Sequence, residues 1–190
     1  MVKSKALILC EGGNDIGFLR KFCQYLEVEL KLDMKAKIDI QKVSGKSNFF
    51  KEKSYETIRQ KIDRGLYSKV LFVVDADYSK NDSTYGGFQN STDEIEKIIK
   101  TLNIEEKSKI FIACDSATKE GNLEHLVLST LEKEERDCIL KLLDCVLEMD
   151  VHSDKKIVLS SYEAIFKESP YNLPHENFDE LRELLLWVYN

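Results

Sequence analysis

The sequence predicts an α/β fold: a four-stranded, mainly parallel sheet with helices on both faces, followed by a C-terminal helical extension. Three observations predict it. Four strand-like runs, at Ala6–Cys10, Lys35–Val43, Leu71–Asp75 and Lys109–Cys114, are separated by stretches with apolar residues at helical spacing. No hairpin signal joins consecutive runs, so right-handed crossovers make the strands parallel. Three of the four runs lead into acidic residues, which a parallel sheet gathers along one edge. A chain of 190 residues suits one domain, read as residues 1–131, with 132–190 as helices packed on it.

Each element has a local reason. Ala6-Leu7-Ile8-Leu9-Cys10 is an unbroken apolar run, the pattern of a strand buried on both faces. Glu11-Gly12-Gly13-Asn14-Asp15 turns the chain. Asn14 is placed to cap a helix whose Ile16, Leu19, Phe22, Cys23, Leu26 and Leu30 share one face. Lys35–Val43 alternates as a second strand, with Ala36, Ile38 and Ile40 on one side. Ser44-Gly45-Lys46-Ser47 follows. Gly-Lys-Ser invites a phosphate-loop reading, but that motif needs a glycine where Ile40 stands. Phe49 to Gly65 reads as one helix stopped by its glycine.

After the third strand a polar loop runs from Tyr78 to Asn90. Ser91-Thr92-Asp93-Glu94 opens the next helix, with Thr92 as cap and Ile95, Ile98, Ile99 and Leu102 inward. The fourth strand leads through Asp115 and Gly121-Asn122-Leu123 to a helix beginning at Glu124 and His125 and carrying Leu126, Val127 and Leu131. Beyond Glu132 only helical patterns remain. These are Ile139 to Leu147, Lys155 to Lys167 and, after a break at Ser169–Pro174, a Leu-rich helix from Phe178 to Tyr189.

The chemistry centres on Leu71-Phe72-Val73-Val74-Asp75-Ala76-Asp77. In an extended chain, residues i and i+2 point to one side, about 6.6 Å apart. Asp75 and Asp77 then aim at one small volume past the strand's carboxyl end. Two crowded carboxylates repel, and a hard divalent cation relieves them. The same spacing also closes ordinary strands as an Asp-rich turn, so the other strand ends decide the reading. They supply Glu11 and Asp15 from the first strand, and Asp115 and Glu124 after the fourth. Asp15 also suits the first turn of any helix. Lys46 could face a phosphate, although a lysine in such a loop is commonly just solvated.

Composition narrows the partners. The formal net charge is -6, which argues against tight, non-specific binding to a nucleic-acid backbone. From Lys31 to Lys69, however, eleven Lys and Arg face five Asp and Glu, a local excess that could track phosphates. No segment is long enough to span a membrane, and the first apolar run is too short for a signal peptide. The five cysteines are odd in number and form no C-x-x-C pair, which favours reduced thiols and a cytoplasmic location.

Glu11 after the first strand and Asp75-Ala76-Asp77 after a later one resemble the pattern of the TOPRIM superfamily from about Lys5 to Leu131. Glu11-Gly12-x-x-Asp15, Asp75-Ala76-Asp77 and Gly121-x-Leu123-Glu124 match, in order, the motifs of the superfamily's small stand-alone members. That superfamily supplies the catalytic domain of topoisomerases, DnaG-type primases and OLD-family nucleases. The nearer likeness is to small stand-alone bacterial TOPRIM-like proteins of unassigned function. The resemblance implies a Rossmann-like sheet and Mg²⁺, with Mn²⁺ as a substitute, held by Asp75 and Asp77. It further implies Glu11 as general acid/base or metal ligand. Asp15, Asp115 and Glu124 would complete a second metal position, and Lys46 would face the scissile phosphate. One departure is Cys114-Asp115, where the family more often carries proline-aspartate, which leaves the role of Asp115 open.

The activity so implied is Mg²⁺-dependent phosphodiester cleavage or phosphotransfer on nucleic acid. The alternative is a non-catalytic module that binds a nucleotide or nucleic acid with a partner protein. The ATPase half of OLD-type nucleases and the DNA-gripping domains of topoisomerases are missing from this sequence, so a partner ATPase docked on the C-terminal helices is a third expectation. Haloacid-dehalogenase-like phosphoester hydrolysis fits poorly, because those enzymes carry their D-x-D after the first strand.

Overall fold

A computed structural model describes residues 4–43, 45–147 and 171–190. In chain order it contains β1 (Lys5–Cys10), α1 (Gly13–Leu30), α2 (Met34–Lys37), β2 (Ile38–Lys42), α3 (Lys46–Phe49), α4 (Glu56–Asp63) and β3 (Tyr67–Asp75). These are followed by α5 (Phe88–Leu102), β4 (Ser108–Ala113), α6 (Leu123–Leu128), α7 (Lys133–Leu147) and α8 (Asp179–Tyr189). The four strands pair in the order β2-β1-β3-β4, and every pair is parallel. The expected α/β architecture is therefore present.

Strand alternation divides the core into two layers. Ala6, Ile8, Cys10, Leu71, Val73, Phe111 and Ala113 face the layer formed with α1, α6 and α8. Leu7, Leu9, Val70, Phe72, Val74 and Ile112 face α4, α5 and the Phe49/Tyr55 segment. Both sheet faces are covered, which is why the strands read as continuous apolar runs rather than as alternating ones. On the first face, α8 and the residue just before it bury Phe178, Leu181 and Leu185 completely. Burial of each is worth roughly 1.5–3 kcal/mol. Lys69 and Lys109 also lie 5.1 and 4.9 Å from the Trp187 ring centre, contacts worth only about 0.5–1 kcal/mol each where exposed. Apolar burial therefore docks this helix, and the lysines orient its end.

Four local expectations are corrected. Lys35–Val43 is not all strand: Met34–Lys37 form a helical turn, and β2 begins at Ile38. The Asp33 carboxylate accepts from the Ala36 amide at 3.2 Å, and Met34 is fully buried beneath the turn. Phe49 to Gly65 is not one helix, because α3 ends at Phe49, a 3-10 turn follows at Glu52–Tyr55 and α4 starts at Glu56. Six residues correspond to about 240° around a helix, so a straight helix could not press both Phe49 and Tyr55 onto Phe72. The break lets both rings pack there, 6.2 and 6.1 Å away, while the Tyr55 hydroxyl donates to the Phe49 carbonyl. Gly65 does follow the end of α4 with φ of 72°, as expected of a stop.

Asn14 does not cap α1. The helix starts at Gly13, and the Asp15 carboxylate accepts from the Gly12 amide at 2.7 Å, so the cap comes from inside the first turn. Thr92 does not cap α5 either. That helix starts at Phe88, one turn earlier, and Thr92 Oγ1 donates back to the Phe88 carbonyl at 2.8 Å. Ser91 is wholly buried and donates to the Tyr85 carbonyl at 2.9 Å, which draws the loop against the helix.

Cys10, Cys23 and Cys114 are buried thiols, and none of the five cysteines is in a disulfide. Among the described residues, no helix is long and apolar enough to cross a membrane. The expected helix from Lys155 to Lys167 and the Ser169-Pro170 part of the break lie outside the described residues.

Candidate functional site

The strand order decides where a site can form. From β1 the chain moves outward to β2 and then returns past β1 to β3, so β1 and β3 flank the point where the winding reverses. Ligands of open α/β sheets sit at the carboxyl ends of the strands at such a point. Parallel register sets Leu9 beside Phe72, which brings the residues just past both strand ends together.

Glu11 and Asp75 meet there. Glu11 Oε1 accepts from the Asp75 backbone amide at 3.1 Å, and the Glu11 carbonyl accepts from the Gly45 amide at 3.0 Å. Burial pushes the Glu11 carboxyl up from its ordinary 4.5 to about 7. The Asp75 amide and the Lys46 ammonium hold it down, while Asp77 and Asp15 add to the rise. The Asp75 carboxyl is raised well above its ordinary range by burial first, then by the charges of Glu11, Asp15, Asp77 and Glu124. Its Oδ1 accepts from the Leu123 amide at 3.0 Å, so Asp75 also holds the first turn of α6.

Asp77 departs from the expected extended spacing. β3 ends at Asp75, and Asp77 takes a left-handed conformation with φ of 56°, which Asp tolerates better than most residues. An antiparallel bridge to Gly121 holds it there: each backbone amide donates to the other residue's carbonyl. The Asp77 carboxylate turns to Lys46, whose ammonium donates to Asp77 Oδ2 at 2.8 Å. The same ammonium donates to the carbonyls of Asp75 at 2.9 Å and Ala76 at 3.0 Å.

The remaining nominated acids divide. Asp15 stands near enough for its charge to raise Glu11 and Asp75, while its carboxylate caps α1. Glu124 is buried in the first turn of α6 and also acts on Asp75. Asp115 is drawn into its own loop, because its Oδ1 accepts from the Ala117 and Thr118 amides at 3.0 Å and from the Thr118 hydroxyl at 3.2 Å. Its charge raises the Tyr78 hydroxyl, behind burial and Glu120. Among the described residues, no three His, Cys, Asp or Glu side chains are grouped so that they could hold a metal ion.

Sequence reasoning missed three supports of this site. The Ser91 hydroxyl, whose single proton goes to Tyr85, stands 3.3 and 3.4 Å from the carbonyls of Asp75 and Ala76, the oxygens that Lys46 binds. Gly121, with φ of 92°, lies against the His125 ring, and His125 Nε2 is 2.7 Å from the Tyr78 hydroxyl. Gly121 stood in the Gly121-x-Leu123-Glu124 motif without a stated role, while Ser91 and His125 were signalled only by their places at presumed helix starts.

A family model described as a protein of unknown function (DUF3226) matches residues 5–168, and the chain belongs to that family. No curated protein and no solved structure matches.

Proposed function

We propose that this member of a family of unknown function is a TOPRIM-type enzyme that cleaves phosphodiester bonds of nucleic acid with Mg²⁺ or Mn²⁺. The observation that carries the reading is the meeting of Glu11 and Asp75 at the β1/β3 switch point. Glu11 stands at the strand ends with Oε1 held by the Asp75 amide, beside the acids that would hold the ion, a position that suits a group that gives and takes a proton. Glu11 therefore serves as general acid/base.

The donor set fits a hard divalent cation in its chemistry. It consists of oxygens alone, and the carboxylates push one another's protonation upward. Asp75 and Asp77 would hold the ion, with Asp15 and Glu124 close enough to feel its charge. When bound, Mg²⁺ would neutralise the phosphodiester and stabilise the leaving oxygen. Within the chain itself, Asp75 fixes α6 through Leu123, and the Gly121 bridge fixes Asp77. The site thus stays on the rim of the sheet rather than on a free loop. Of the nominated residues, Asp115 is left to its loop.

The test is incubation of the full chain with supercoiled plasmid, single-stranded DNA and RNA in Mg²⁺ or Mn²⁺. Metal-dependent products are expected from the wild type, and a loss of at least about 100-fold from Glu11→Gln. Full cleavage by the Asp75→Asn/Asp77→Asn double variant overturns the assignment. Oligonucleotide or nucleotide binding without any product assigns the chain instead to the non-catalytic binding module.

A further inference from the structure

Lys46 is held more tightly than a phosphate-facing lysine should be. An ammonium has three N–H donors, and its contacts with the Asp75 carbonyl, the Ala76 carbonyl and Asp77 Oδ2, at 2.8 to 3.0 Å, use all three. Its side chain is only 16% exposed. In this arrangement it has no donor to offer a substrate. The position it fills is nevertheless well made for a cation: two backbone carbonyls and a carboxylate are the oxygen types that bind Mg²⁺ and Ca²⁺.

We infer that Lys46 is a tethered cation in the place of a divalent ion, so that metal entry and release of the Lys46 ammonium are one exchange. This rests on the metal-dependent reading above. Three features make the exchange workable. First, the Ala76 carbonyl that Lys46 leaves keeps the Gly87 amide at 2.8 Å, and the Ser91 hydroxyl, 3.3 Å from the Asp75 carbonyl, can turn its one proton from Tyr85 to that oxygen. Second, the Asp77 side chain is 44% exposed, so an incoming ion reaches the carboxylate before Lys46 departs. Third, a single ammonium answers a rim where Glu11, Asp15, Asp77 and Glu124 all act on Asp75, and a dication offsets that repulsion better.

The exchange also resolves the role of Lys46. Once displaced, the ammonium swings on a flexible four-carbon stem from the start of α3 and recovers its donors for a phosphate oxygen. Metal binding then prepares anion binding in the same step. Without the ion, the lysine and the acids satisfy each other and the rim is closed to an anion.

The experiment is a calorimetric Mn²⁺ titration of the full chain as wild type, Lys46→Met, Lys46→Gln and Lys51→Met. It is paired with lysine acylation of the wild type, read by peptide mass spectrometry with and without Mn²⁺. Lys46→Met and Lys46→Gln are expected to bind Mn²⁺ at least ten-fold more tightly than wild type, with Lys51→Met unchanged as the control for lost charge. Acylation of Lys46 is expected to rise several-fold when Mn²⁺ is bound, a readout that stands even where a variant fails to fold. If wild type binds Mn²⁺ while Lys46 stays protected, or if the Lys46 variants bind no better than Lys51→Met, the exchange is overturned and the metal-dependent reading survives. If neither wild type nor the Lys46 variants bind Mn²⁺, both are overturned.

Discussion

The backbone amide of Asp75 donates to Glu11 Oε1 at 3.1 Å, although 64 positions separate the two residues along the chain. That bond joins the ends of the two central strands and places a carboxylate in the interior of the crevice between them. The measurable consequences follow from the environment it creates.

The first concerns pH. In the unfolded chain Glu11 ionises near 4.5, whereas in the folded chain it keeps its proton until about 7. Between those values the folded state binds more protons, so stability present below about 4.5 is lost as pH rises toward about 7. The loss reaches at most about 3 kcal/mol for this group, and the raised Asp75 carboxyl acts in the same direction. Glu11→Gln keeps an oxygen for the Asp75 amide but cannot ionise. Its Tm should therefore fall less between pH 4.5 and 7.5 than the wild-type Tm. Parallel pH profiles of the two proteins would contradict the burial of this carboxylate.

The second concerns the ion. A ligand present at 100 times its dissociation constant stabilises the fold by about 2.7 kcal/mol. Saturating Mg²⁺ or Mn²⁺ should raise the wild-type Tm and leave that of Asp75→Asn almost unmoved. In the absence of metal Asp75→Asn should be at least as stable as wild type, since asparagine can still accept from Leu123 and no longer faces four like charges. An equal metal-induced rise in both proteins would remove Asp75 from the metal site.

The third concerns Gly121. A Cβ added there would stand 2.5 Å from His125 Cγ and 2.7 Å from Nδ1, on a backbone with φ of 92°. Gly121→Ala should destabilise the fold by about 1–3 kcal/mol in urea titration. It should also weaken Mn²⁺ binding, because Gly121 is the bridge that holds Asp77. A neutral substitution would show that the bridge does not set the Asp77 position.

The fourth concerns substrate. Lys51 and Lys53 are exposed just beyond α3, within the basic stretch. If they neutralise phosphates, Lys51→Ala/Lys53→Ala should weaken single-stranded oligonucleotide binding and reduce the slope of log affinity against log salt by about 1.4. An unchanged slope would place the nucleic-acid path elsewhere.

Much of the fold was legible from local pattern. The strand runs at Ala6–Cys10 and Leu71–Asp75 were readable because burial on both faces demands continuous apolar sequence. The acids past their ends were readable because a parallel order brings all carboxyl ends to one edge. Helix starts were less legible. Gly12 and Gly87, which have no side chain to cap with, precede α1 and α5, while Thr92, which looked like a cap, donates back to the Phe88 carbonyl. The Phe49–Gly65 helix failed because a shared demand to cover Phe72 outweighed its helical spacing.

Short stretches encode the α/β layering and the parallel sheet, with Glu11 and Asp75 at the carboxyl ends of its central strands, since periodicity and strand ends are local properties. The folded arrangement assigns each rim residue its task. It turned Asp77 left-handed against Gly121, gave Asp15 to a helix start, sent Asp115 into its own loop and set Lys46 on three oxygens. A side chain's partner depends on which distant backbone group lies within about 3 Å. That distance is set by the register and packing of the whole sheet, which no local run of residues encodes.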